Sequence, residues 1–178
     1  MARLAIPAGL WYSETMANPP PAPLTANDRR ARLEQITGIA ARLGFVGIVE
    51  YRHVYSKSGG AQYGRARSAE EDLLTVYAEA FDKDADPEEF SLTAILAHER
   101  GHQMLARHSR IAARVSGRIS DAGEEILASV LGSLICDVEV DRDNLTAKAA
   151  AALVDHGEAP ETALQRIEEL RKLFGELL

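Results

Sequence analysis

Cysteine is almost missing from this chain: Cys136 is the only one in 178 residues. No internal disulfide can form, and zinc sites built on several thiolates are excluded. Any metal has to sit on histidine and carboxylate. Long apolar runs are also missing. No stretch reaches the roughly 18 apolar residues that a spanning helix needs, and the first ten residues, broken by Arg3, Pro7 and Gly9, lack the apolar centre of a signal peptide. A cytoplasmic protein with no membrane partner is the expectation. Basic residues are in deficit, 20 against 27 acidic, for a net charge of −7. That balance argues against nucleic acid as primary ligand, because phosphate neutralisation needs the opposite sign.

A hydrophobic content of 46% over 178 residues suffices for one domain with its own core. Residues 1–24, with Pro7, Pro19, Pro20, Pro21 and Pro23, read as an extended N-terminal arm, leaving residues 25–178 as the single domain. Thr25 or Asn27 suits the cap of a first helix that keeps Leu33, Ile36, Ala40 and Leu43 at helical spacing until Gly44. Three short strands are expected next, within residues 45–55, 61–67 and 73–77, with Ser58-Gly59-Gly60 turning the chain between the first two. Asp86 with Pro87 and Glu89 has the spacing of a helix start, and Asp121 with Glu124 that of another. Residues 144–156 and 160–178 complete a helical C-terminal half, the last with an apolar stripe of Leu164, Ile167, Leu170, Phe174 and Leu177. Core packing is the preferred reading of that stripe over a homodimer seam. The fold class is therefore α+β, with a small, mostly antiparallel sheet. Arg100, Arg107, Arg110, Arg114 and Arg118, beside Ile111, Val115 and Ile119, read as the solvated face of a short amphipathic helix.

The helix expected after Asp86 carries His98-Glu99-Arg100-Gly101-His102. Positions i and i+4 share a helix face, so both imidazoles reach one zinc ion, while Glu99, about 100° round from His98, meets a water in the open coordination position. The competing reading is a pair of hydrogen-bonded histidines on an apolar helix. A catalytic zinc needs a third protein ligand. His108 follows His102 by six residues, but the midway glycine that would turn the chain is replaced by Leu105, and no methionine lies downstream of Met104. Glu124 and Glu125 on the following helix are the alternatives. Glu124 has the spacing to be consumed by the Asp121 cap, so Glu125 is preferred and Glu124 and His108 remain as fallbacks. Ser129, one turn beyond Glu125, is spaced to hydrogen-bond a ligand histidine.

With Glu125-Ile126-Leu127-Ala128-Ser129 following the motif, the chain resembles the gluzincin metallopeptidases over residues 30–140, and Phe90 to Ala97 leading into it resembles the small ImmA/IrrE-type cytoplasmic proteases in particular. The resemblance implies one zinc ion, a zincin core, and a protein or peptide substrate hydrolysed by a metal-activated water with Glu99 as general base. It also implies that the third strand, around residues 73–79, lies at the sheet edge and binds an extended peptide. Tyr63, Tyr77 and His108 are all available as donors to the tetrahedral intermediate. The alternatives to a peptidase are a metal-stabilised interaction domain that cleaves nothing and a different hydrolase on the same site.

Overall fold

The computed structural model describes residues 21–56, 59–82, 90–115 and 120–178. Helix α1, Ala26–Arg42, opens on a reciprocal cap: the Thr25 hydroxyl accepts from the Asp28 N–H at 3.1 Å, and the Thr25 N–H donates to the Asp28 carboxylate at 3.1 Å. It buries Ile36, Ile39 and Ala40, whereas Leu33 stays 38% exposed. Gly44, at φ 73°, takes the left-handed conformation just past the helix end. The strands are β1, Ile48–Arg52, β2, Ala61–Gly64, and β3, Leu73–Tyr77.

Their order corrects the expected sheet. The strands lie β1-β3-β2, with β1 parallel and β2 antiparallel to β3, so the sheet is mixed and β1 and β2 are not a hairpin. The reason is visible in β3, where Leu74, Thr75 and Val76 are all buried. A run buried on both faces belongs at the centre of a sheet, while the partly exposed β1 and β2 suit its edges. Hence β3 is not the edge strand. The edge strand that packs against the helix of the histidine motif is β2, while β1 packs against α1.

The motif helix α2, Leu92–Arg107, is capped by Ser91, whose hydroxyl accepts from the Ala94 N–H at 3.1 Å and donates to Asp141 at 2.7 Å. Phe90 and Ser91 are not helical, so the helix begins after the expected start; Asp86 itself lies outside the described residues. Helix α3, Ser109–Arg114, is followed by α4, Asp121–Ile135, α5, Glu139–Asp155, and α6, Pro160–Gly175. Helix α5 thus starts five residues before its expected first residue. One core cluster joins α1, the sheet and the first half of α2 through Ile36, Leu74, Val76 and Leu96. A second joins α4, α5 and α6 through Val130, Leu131, Ala149, Ile167 and Phe174. Ile167 and Phe174 of the C-terminal stripe are buried there, whereas Leu164 is 54% exposed. Among the described residues no helix is long and apolar enough to cross a membrane.

Helix α2 lies where the two clusters meet. Its contact with α4 is close enough to exclude side chains: a Cβ on Gly101 would sit 2.1 Å from the Ala128 carbonyl oxygen, and one on Gly132 would sit 2.7 Å from that of Ala97. Two glycines therefore let the backbones of these helices touch, and that touch sets what faces the motif.

Candidate metal centre

His98 and His102 project from the same face of α2 with ring centroids 4.9 Å apart and planes at 89°. Their Nε2 atoms are 3.3 Å apart. The approach of α4 brings Glu125 onto both: one carboxylate oxygen is 3.0 Å from His98 Nε2 and the other 3.3 Å from His102 Nε2. One donor atom from each of the three residues falls within 4.8 Å of the others. The three side chains thus converge on a volume of single-ion size.

Both remaining imidazole nitrogens are occupied. His98 Nδ1 lies 3.0 Å from the Ser129 hydroxyl and His102 Nδ1 lies 3.1 Å from the Glu124 carboxylate. Such contacts fix which nitrogen faces inward and hold the ring plane. Helix α4 is capped by Ser120, whose hydroxyl accepts from the Gly123 N–H at 3.2 Å. The Asp121–Glu124 cap expected from spacing is therefore replaced, and Glu124 is released to meet His102. Its place is on the outer nitrogen, not among the converging donors. His108 ends α2, is absent from the cleft lining, and keeps a buried Nδ1 without a hydrogen-bond partner among the described residues.

The two bonds from the histidines hold the Glu125 carboxyl well below the usual carboxylate range, against the opposing effect of burial. For His102, burial favours the neutral ring, but Glu125, Glu99 and Glu124 outweigh it and raise the ring above its ordinary value. A proton and a divalent cation therefore compete for the His102 ring. Two neutral imidazoles and a carboxylate, with the outer nitrogens already oriented, are a donor set that fits zinc.

Glu99 is buried beside the pair and faces β2, where one of its oxygens accepts from the Tyr63 backbone N–H at 2.7 Å. A cleft of about 550 Å³ opens over this group; β2 from Ala61 to Tyr63 borders it, with Phe90, Ile95 and Leu145 supplying apolar wall. The Tyr63 hydroxyl does not enter the site, since it donates to Asp72 at 2.9 Å. Burial and that bond push it up to about 12. The Tyr77 hydroxyl points to Gln62 at 3.4 Å.

Sequence reasoning missed Asp72, which is wholly buried and accepts from Tyr63, from the Ala66 N–H at 2.8 Å, from Gln103 at 3.0 Å, and from two nitrogens of Arg107 at 3.0 and 2.6 Å. Burial alone raises its carboxyl, but these donors together outweigh burial and hold it well below the usual range. Arg107 is thereby removed from the solvated arginine face, and Arg100 is half-buried and donates to Gln103 at 2.8 Å. Arg118 and Ile119 lie outside the described residues. The one sequence signal was a polar pair at i and i+4, Gln103 and Arg107, on an otherwise packed helix.

No protein-family model, curated protein or solved structure matches this chain. The site has to be judged on its own geometry.

Proposed function

We propose that this chain is a zinc-dependent peptidase with a gluzincin-like core. One observation carries the reading: the inward nitrogens of His98 and His102 and the carboxylate of Glu125 converge beside a second acidic group, Glu99, at the border of a strand-edged cleft. A structural histidine pair would not need a second carboxylate there.

His98, His102 and Glu125 are the residues that hold the ion, and Ser129 and Glu124 keep the two rings turned inward. Zinc in such a site supplies Lewis acidity, lowering the pKa of a water to about 7 and polarising a carbonyl oxygen. Glu99 takes the proton of the attacking water and returns it to the departing amine. Its second oxygen is left for that exchange, because the first is engaged by Tyr63. The peptide preference is supported by β2. In the antiparallel pair with β3, the Tyr63 N–H faces away from the partner strand and toward the cleft, so the open side of β2 is the side on which an extended chain adds as a further strand. This assigns to β2 the role the resemblance gave to the third strand.

Replacing Glu99 by Gln keeps shape and volume while removing the base. The Glu99→Gln protein is expected to retain its zinc and to cleave a casein or quenched-peptide substrate at least about 100-fold more slowly than the parent. Cleavage at the parental rate with zinc in place contradicts the mechanism.

A further inference from the structure

Tyr63 is bonded at both ends. Its backbone N–H holds Glu99 and its phenol donates to Asp72. Asp72 in turn is gripped by Gln103 and Arg107, which stand on α2, the helix that carries Glu99. The contacts close a circuit: from Glu99 to the Tyr63 amide, through the tyrosine side chain to Asp72, and through Arg107 and Gln103 back to α2. We infer from this circuit that the Asp72–Arg107 pair is a positioning device for Glu99, acting through Tyr63.

The need for such a device follows from β2. It is four residues long and paired on one side only, follows Gly59-Gly60 and ends on Gly64, and a glycine-rich strand is the kind whose register is weakly specified. A slip of one residue along β3 would exchange an outward N–H for one bonded to β3 and leave Glu99 without its donor. Bonding the Tyr63 ring to a carboxylate anchored on α2 ties the strand to the motif helix at a second point. Arg107 adds to this by donating to the Ala66 and Ser68 carbonyls, at 2.7 and 3.1 Å, and so fixes the chain just past β2. Gln103 does the same on the other flank, exchanging hydrogen bonds with the Val46 backbone ahead of β1. Asp72 therefore works at a distance from the reacting atoms. Its effect is on where Glu99 points, and misplacing a reacting group by about 1 Å costs on the order of 100-fold in rate.

The inference rests on the peptidase reading for its catalytic consequence, and the test separates the two. Tyr63→Phe removes only the phenol oxygen, and Asp72→Asn weakens the grip of Arg107. Both are made in the full chain loaded with zinc and compared with the parent on a quenched peptide that the parent cuts. The expected result is unchanged zinc content and KM, with kcat reduced about 10- to 100-fold. A contact that served stability alone would lower the melting temperature and leave kcat per folded molecule intact. The second readout needs no substrate: hydrogen exchange and chemical shift of the residue-63 amide by NMR. In the parent that amide is protected and moves on Glu99→Gln; in Tyr63→Phe its protection falls about tenfold, as an unanchored edge amide requires. If Asp72→Asn does not fold, Tyr63→Phe decides. Parental kcat in Tyr63→Phe, or a residue-63 amide that exchanges as in the parent, overturns the proposal. If the parent cuts no peptide, the peptidase reading fails and the amide alone decides the positioning claim.

Discussion

At the scale of single residues, the candidate centre depends on what the outer nitrogens of the two histidines touch. Ser129 meets His98 and Glu124 meets His102; the Glu124 carboxylate, which only accepts, selects the His102 tautomer that leaves Nε2 available inward, and the Ser129 hydroxyl, which can accept, suits the same tautomer of His98 and fixes its ring. Ser129→Ala removes one of them with little change in volume. Its expected effect is a loss of zinc affinity of about 10- to 100-fold with the fold intact, read by competition with a chromogenic chelator. Equal affinity in parent and variant contradicts the role given to the hydroxyl. Ser129 was legible because its spacing from Glu125 is one helical turn. Glu124 was not. Its three-residue offset from Asp121 imitates a capping box, and Ser120, an equally good cap one residue earlier, takes the helix end instead. Geometry still ranks Glu125 over Glu124, but on different ground: Glu125 faces both inner nitrogens and Glu124 a single outer one.

At the scale of elements, the donors meet because α2 and α4 touch backbone to backbone. Gly101 inside the motif and Gly132 on α4 leave no room for a methyl group. Gly101→Ala must push α4 outward, since helix backbone on both sides cannot give way, and Glu125 moves with it. A loss of about 2 kcal/mol in stability is expected from overpacking, together with loss of tight zinc binding; denaturant unfolding and metal analysis measure the two. A variant with parental stability and parental zinc affinity contradicts the account of the helix contact. Periodicity in the sequence identified both helices and the order in which they come. It carried no information on how close they lie, because that distance is set by residues of a partner helix. The sheet failed for a related reason. Leu73-Leu74-Thr75-Val76-Tyr77 has strand composition and its run of successive buried residues marks a central strand, whereas the resemblance implied an edge. Pairing of β3 between β1 and β2 is non-local and has no local turn signal.

At the scale of the whole molecule, Asp72 ties the sheet to the motif helix across 35 residues of sequence to Arg107. Its folded-state carboxyl is depressed, so its contribution to stability is complete above the unfolded value of about 3.9 and is lost as pH falls from there toward the folded value. Acid titration of the unfolding midpoint is therefore expected to show a drop beginning near pH 4 that is shallower in Asp72→Asn. At neutral pH that variant is expected to be less stable than the parent, because the donors from Tyr63, Ala66, Gln103 and Arg107 lose the carboxylate they share. An acid profile identical in both proteins contradicts this assignment. Nothing in the sequence marked Asp72 apart from the acidic residues Glu70 and Glu71 beside it; only the fold reveals that it is buried and they are not. The motif itself was legible because helix geometry alone places His98 and His102 together. The central claim is that these two and Glu125 hold one zinc ion. Anomalous diffraction at the zinc edge, on crystals of the parent and of Glu125→Ala and His108→Ala, tests it most directly. The account predicts one zinc peak between His98, His102 and Glu125, kept in His108→Ala and lost or strongly depleted in Glu125→Ala; a peak of parental strength in Glu125→Ala, or one bound by His108, contradicts it.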